Sequence, residues 1–353
     1  MFEKLEKALK GIKDLDREAM GIARARQDML AKPKGSLGRL EEIAVRLAGI
    51  QGDGKPCIRD KAVITMAGDH GVVEEKIGDW PQEVTAQMVY NFLHGGAGIN
   101  VLSRQVGARV VVVDMGVAVY LEPHPALVSM RIGRGTHNMA EGPAMTREQA
   151  LTAIEAGIEV LETEVTKGLD IVGAGDMGIC NTTPSAALCA VITGRPVSAV
   201  TGRGTGIDDR QLEHKIRVIQ KALDLNAPDR DDPIDILSKV GGFEIAGLAG
   251  VMIGAAARGV AVVVDGFISG AAALIASELA PKVKDYMFAG HRSTEPGHEV
   301  MLAHLGLEPI LDLKMRLGEG TGAALAIAVI EASARVLSEM ATFSEAGVVE
   351  KGG

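Results

Sequence analysis

Short apolar, β-branched runs recur along this chain, and each ends in a polar turn rich in glycine. Ala62–Met66 runs into Gly68-Asp69-His70-Gly71, Val110–Val113 into Asp114-Met115-Gly116, and Leu169–Val172 into Gly173-Ala174-Gly175-Asp176-Met177-Gly178. Val197–Val200 leads to Thr201-Gly202-Arg203-Gly204-Thr205-Gly206, Val260–Val264 to Asp265-Gly266, and Tyr286–Phe288 to Gly290-His291-Arg292-Ser293. Helical patterns fill the intervals at Glu83–Phe92, Arg147–Thr166, Pro184–Ile192, Asp209–Leu223 and Gly270–Leu279. This alternation predicts an α/β fold, a parallel sheet with helices on both faces. Strands apolar throughout fit burial on both sides. Ligands of such sheets bind beyond the carboxyl ends of the strands, where these polar turns lie.

The two ends of the chain read differently. Residues 1–50 hold two helical patterns, the second capped by Ser36, with Leu37, Leu40, Ala44, Leu47 and Ile50 on one face. A C-terminal helix starting near Thr321 places Leu325, Val329, Ala332, Val336 and Met340 together. The expectation is a small helical domain from both ends, 1–54 and 301–353, flanking a catalytic body at 55–300. Lys351-Gly352-Gly353 is expected to fray.

Composition excludes several classes. A net charge of −9 over 353 residues argues against a general nucleic-acid binder, which needs a basic face. Cys57, Cys180 and Cys189 form no CxxC pair, which fits a reducing, cytoplasmic compartment. The N-terminus lacks a signal-peptide core. The most apolar region, Ile245–Ala276, is interrupted by Arg258 and Asp265 and reads as buried core, not as a membrane span.

Several clusters carry chemistry. Gly318-Glu319-Gly320-Thr321-Gly322 presents one carboxylate among three glycines, suited to a working acid or base. The competing reading is that Glu319 only favours the following helix N-terminus. Gly173-x-Gly175-x-x-Gly178 matches the dinucleotide fingerprint in letters, but the next predicted strand ends at Val200-Thr201-Gly202 without the acid that would hold a ribose. Asn181-Thr182-Thr183-Pro184 opens a helix, with Thr183 as N-cap and Pro184 as N1, and such a terminus suits a phosphate. Gly202-Arg203-Gly204-Thr205-Gly206 offers a second cradle, with Lys215 about two turns on; a solvated lysine is the plainer reading. Ala261–Asp265 is similar to a strand of phosphoribosyl-diphosphate-using transferases but has one acid where they carry two. His291, Glu295 and His298, with Asp69-His70, match no standard zinc spacing, and hydrogen-bonding roles are expected. No Gly-x-Ser-x-Gly elbow is present.

Taken together, these segments resemble the nicotinate-nucleotide:dimethylbenzimidazole phosphoribosyltransferases. The matching stretches include Lys32–Glu41, Ala67–Val72, Pro81–Thr85, Gly133–Thr136, Asn181–Pro184, Gly202–Asp209, Val240–Gly247, His291–Ser293, Glu295–His298 and Arg316–Gly322, in order over nearly the whole chain. The resemblance implies a Rossmann-like sheet, a small domain from both termini, and a homodimer without metal or cofactor. The implied substrates are nicotinate mononucleotide and a benzimidazole base, and the products α-ribazole 5′-phosphate and nicotinate. It makes Glu319 the general base. Asn181, Thr182, Thr183, Gly204, Lys215 and Ser293 are to hold the phosphate. Asp176, Met177, Gln82, Trp80 and Leu317 are to line the base site.

The chain departs from the family pattern at two places. Asp176-Met177-Gly178 stands where Glu-Met-Gly is usual, withdrawing a carboxylate by about 1.5 Å. Lys76-Ile77-Gly78-Asp79-Trp80 stands where the family often has small residues and Tyr, and Trp80, the single tryptophan, can stack on an aromatic base or simply pack. The rival readings are an NAD-dependent oxidoreductase and a non-catalytic nucleotide sensor.

Overall fold

Seven strands build one sheet: β1 (Lys61–Gly68), β2 (Arg109–Gly116), β3 (Leu127–Ser129), β4 (Ile171–Met177), β5 (Ala261–Val264), β6 (Met287–His291) and β7 (Pro309–Leu311). All are parallel, in the order β3-β2-β1-β4-β5-β6-β7. The computed structural model describes residues 2–349, so Lys351–Gly353 lie outside the described residues. From β1 the order runs one way to β3 and the other way from β4 to β7, so the β1–β4 boundary is the topological switch point. A crevice opens there at the carboxyl ends.

Five of the six expected strands form. Val197–Val200 does not; it makes a short helix, α8. Its two valines are buried while Ser198 and Ala199 are exposed, the i, i+3 spacing of one helical face, and Pro196 precedes it. The sheet position beside β4 goes to Ala261–Val264 instead.

The expected helices appear as α4 (Glu83–Leu93), α6 (Arg147–Thr166), α7 (Thr182–Thr193), α9 (Asp209–Asn226) and α12 (Phe267–Leu279). Four more were not expected: α5 (Gly98–Val106), α10 (Pro233–Val240), α11 (Phe243–Ala257) and α13 (Pro296–Leu305). The α11 helix is apolar all round, with Phe243 to Ala256 buried, so it shows no amphipathic face. It crosses α6 at backbone contact: a methyl group on Gly250 would lie 2.9 Å from the Ile154 carbonyl carbon.

The N-terminal region holds three helices rather than two: α1 (Glu3–Gly11), α2 (Arg17–Met29) and α3 (Arg39–Gln51). Ser36 does not cap α3. Gly35 and Gly38, with φ of 73° and 52°, turn the chain, and Gly38 is the N-cap, leaving Leu37 outside the helix. The last long helix, α14 (Thr321–Glu339), starts where expected but buries another face: Ala323, Ile327, Ile330, Ala334 and Leu337. Leu325, Val329 and Val336 are half-exposed and Ala332 is exposed. A short α15 (Phe343–Ala346) follows.

By length and composition α14 is the one described helix able to cross a membrane, with a mean hydropathy of 1.4 over an 18-residue window. The most apolar stretch of the sequence, Ile245–Ala276, is instead divided among α11, β5 and α12. More than half of the α14 window is buried, and Glu331 on α14 pairs with Lys61 of β1 at 2.6 Å. It is a core helix laid on the sheet.

Met20, Ala23, Ala44, Val45, Ala48 and Leu337 form a second apolar cluster joining α2, α3 and α14, apart from the main core. The α13 helix spans residues 300 and 301, and β7 belongs to the sheet.

Candidate active site

The turn entering α14 is folded by its glycines. Gly318, Glu319 and Gly320 have φ of 84°, 63° and 94°, three left-handed residues in a row. That conformation costs a non-glycine residue roughly 1–2 kcal/mol, so the surroundings must hold Glu319 in it. They do: Glu319 N–H donates to the Asp176 carbonyl at 3.2 Å, and the Thr65 hydroxyl donates to the Glu319 carbonyl at 2.9 Å. Gly175 in β4 lets this backbone lie directly on the sheet.

The Glu319 side chain is buried, and its Oε2 accepts from the Ile99 N–H at 2.9 Å, at the start of α5. Burial raises its pKa; the Ile99 N–H pulls it down and the charge of Asp265 raises it further. Burial therefore outweighs the helix N-terminus. The carboxylate is tucked beside Gly98, whose Cα also faces Leu317.

Asp176 is the penultimate residue of β4 and Asp265 follows β5, so both stand on the same sheet edge. Asp176 Oδ2 accepts from Asn181 Nδ2 at 2.9 Å. Burial, then the charges of Asp265, Glu244 and Glu319, push its pKa up to about 8 against the pull of Asn181. It is therefore mostly protonated at neutral pH. Asp265 Oδ1 accepts from the Ala323 N–H at 2.8 Å, in the first turn of α14.

The phosphate-holding candidates converge. Asn181, Thr182, Gly204 and Ser293 line one cavity of about 110 Å³ with Asp176, Met177 and Leu317. Thr183 and Lys215 line an adjoining space of about 70 Å³ that shares Asn181, Thr182 and Gly204. Lys215, on α9, is not a solvated lysine: it is 2% exposed, and its Nζ donates to Thr182 Oγ1 at 2.8 Å and to the Gly202 carbonyl at 3.2 Å. Burial lowers its pKa to about 8, with Glu295 and Cys180 opposing. Glu295 Oε1 accepts from Gly204 N–H at 2.8 Å and so shapes the loop.

Some local expectations are corrected. The α7 helix begins at Thr182 with Asn181 as N-cap, so Thr183 lies inside the helix and Pro184 is its third residue. Asn181 makes no side-chain cap: its backbone is already helical, with φ of −60° and ψ of −21°, and its Nδ2 donates to Asp176. Thr183 Oγ1 is buried without a partner. Gly173 and Gly175 sit within β4 rather than in the turn after it, so the dinucleotide fingerprint is present only in letters. A methyl group on Gly173 would meet Ala323 at 3.1 Å. The next strand in the fold is β5, followed by Asp265, far beyond the fingerprint's spacing.

On the base side, Met177 and Leu317 share the larger cavity, with Leu317 61% exposed at its mouth. Trp80, 55% exposed, lines the smaller space with Ile77, Ile207 and Lys215, away from Leu317. Gln82 is half-buried at the N-cap of α4 and lines neither.

Two of the three histidines are bonded: His70 Nε2 lies 2.8 Å from Glu244 Oε1, and His298 Nδ1 accepts from Ser293 N–H at 3.0 Å, whereas His291 Nδ1 is buried without a partner. Burial lowers the His298 pKa to about 3, so its ring is neutral. Among the described residues, no three His, Cys, Asp or Glu side chains form a metal-ligating group. Burial raises the thiol pKa of Cys180 to about 11 and of Cys189 to about 12, which suits neither as a nucleophile. The sequence reading missed Asp265 and Glu295 as site residues; the single acid ending Val262–Val264 was the signal for the first.

The chain's parallel sheet carries buried acids at its carboxyl edge and a buried lysine beside them, and a family model described as phosphoribosyltransferase matches residues 12–348. A nicotinate-nucleotide–dimethylbenzimidazole phosphoribosyltransferase of Dehalococcoides mccartyi is 63% identical over 350 residues, 99% of each chain. One of Desulforudis audaxviator is 58% identical over 98% of each. The crystal structure of CobT from Thermus thermophilus superposes with a TM-score of 0.91 at 46% identity, covering 94% of this chain and 99% of that one. The chain belongs to the nicotinate-nucleotide–dimethylbenzimidazole phosphoribosyltransferase family.

Proposed function

We propose that this protein transfers the phosphoribosyl group of nicotinate mononucleotide to 5,6-dimethylbenzimidazole or a related base, giving α-ribazole 5′-phosphate and nicotinate for cobalamin assembly. The observation that carries the reading is the full-length identity to enzymes of that name. The convergence of Asn181, Thr182, Gly204, Ser293 and Asp176 on one cavity supports it.

In this reading Lys215, Thr182 and the Gly204 loop take the phosphate, the lysine as its counter-charge. The nicotinate leaves from a pyridinium and needs little acid assistance, so the ribosyl carbon becomes cation-like. The difficult partner is the neutral benzimidazole, which attacks through one nitrogen while the other keeps its proton. Glu319 receives that proton, a contribution of about 10²–10⁴ in rate. Its raised pKa brings its basicity closer to the working pH. Alignment of base, sugar and leaving ring supplies much of the remainder. Met177 and Leu317 offer the apolar surface for the base.

A homodimer, a cytoplasmic location, and a catalytic body at 55–300 with a helical unit from 1–54 and 301–353 complete the reading. The separate cluster around Leu337 supports a helical unit drawn from both ends, while α13 and β7 carry the sheet body past residue 300 to Leu311. Free nicotinate, measured after incubation with nicotinate mononucleotide and a panel of benzimidazoles, purines and phenols, is the test. Release that depends on the added base is expected; none with any base sinks the reading. Binding of the nucleotide without release would leave a sensor, and binding of NADH an oxidoreductase.

A further inference from the structure

We propose that Asp265 binds a ribose hydroxyl of the nucleotide and orients the sugar being transferred, an inference that rests on the phosphoribosyl-transfer reading above. Asp265 directly follows β5 and lines the larger cavity together with the phosphate-holding Gly204 and Ser293. A nucleotide whose phosphate lies at Gly204 and whose reacting carbon faces Leu317 has its ribose in that cavity.

The two carboxylate oxygens have different fates. Oδ1 is committed to the Ala323 N–H at 2.8 Å, and the backbone amides of Gly322 and Gly320 also bear on the group. Oδ2 has no hydrogen-bond partner, although the residue is 0% exposed. A buried carboxylate oxygen left without a donor is costly and calls for an explanation. His291 does not supply one: its Nε2 lies 4.0 Å away, and from Oδ1 rather than Oδ2. A sugar hydroxyl is a donor of the required kind, and a carboxylate accepts it well.

The placement has a second effect. Oδ1 grips the start of α14, the helix whose preceding turn carries Glu319. One side chain thus ties the sugar to the backbone that presents the base.

The test compares nicotinate release from nicotinate mononucleotide with release from its 2′-deoxy and 3′-deoxy forms, in the native enzyme and in Asp265→Ser. Serine can replace Oδ1 as acceptor for Ala323 but has nothing in place of Oδ2. The native enzyme should lose about 10- to 100-fold in kcat/KM on one of the deoxy forms. In Asp265→Ser the ribo substrate should slow by a similar factor, and the ribo-to-deoxy ratio should collapse toward one. A purely structural role would slow all three substrates alike and leave the ratio at its native value. That result overturns the proposal, as does a native enzyme indifferent to both hydroxyls. Should the serine variant fail to fold, Asp265→Asn, which keeps the shape and loses the charge, is read in the same way, with a reduced ratio expected. Failure of the native enzyme to release nicotinate from the ribo substrate is a separate outcome, and sinks the reaction itself.

Discussion

Gly175 lies directly beneath Glu319: a methyl group on it would sit 2.6 Å from the Glu319 carbonyl carbon. The middle of β4 and the entrance of α14 are thus in contact through bare backbone, and the position of the acid is set by the sheet.

Gly175→Ala should therefore lift the Glu319 turn off β4. We expect a loss of about 1–3 kcal/mol in stability and a larger proportional loss of activity. Gly142→Ala, where added volume meets nothing within 4 Å and φ is unstrained, is the control and should be close to neutral. Denaturant midpoints and nicotinate release measured on both variants decide this. A fully active Gly175→Ala would show that the contact does not position the acid.

Glu319→Gln should lower kcat by about 10²–10⁴ while nucleotide affinity stays near the native value. The base must be ionised, and its pKa is raised above the usual 4.5. Native activity should accordingly fall as pH drops through that raised value, and the residual activity of the variant should lack this limb. Retention of most of the native kcat would remove Glu319 from the base role.

Lys215 bears on nucleotide affinity. Its pKa is lowered to about 8, so the ammonium is present below that pH and is lost above it. Affinity for nicotinate mononucleotide, followed by calorimetry from pH 7 upward, should weaken through about pH 8. Lys215→Ala should bind about 10- to 100-fold more weakly at pH 7 and show no such fall. A pH-independent native affinity would contradict the phosphate contact.

Asp176 makes stability depend on pH. Its folded pKa of about 8 lies above the unfolded value of 3.8, so between these values the native state holds a proton that the unfolded state lacks. Stability then falls as pH rises through this window, and the contribution is fully present only below the unfolded pKa. Asp176→Asn removes the titration and can still accept from Asn181. Between about pH 6 and 9 the native Tm should drop by a few degrees more than that of the variant. Parallel melting curves for the two proteins would rule out Asp176 as the source.

Much of this was legible in the residues themselves. The strands that form β1, β2, β4, β5 and β6 announce themselves because they are buried on both sides and therefore apolar throughout. Lys215 and Thr182, 33 residues apart, could be paired only through the resemblance; nothing local predicts their 2.8 Å bond. Val197–Val200 misled because four residues carry too little periodicity to separate a strand from a helical turn. The α11 helix was hidden by its uniform apolarity, and the buried face of α14 by alanines that pack as well as the valines beside them. Trp80 drew attention by its chemistry, but an aromatic side chain carries no address, and the fold put it beside Lys215.

The bond from Thr65 to Glu319 closes a span of 254 residues. The chain must therefore be made as far as Glu319 before the acid can meet the first strand. Contacts so distant in sequence are slow to form, and the last-arriving segment governs when the catalyst switches on.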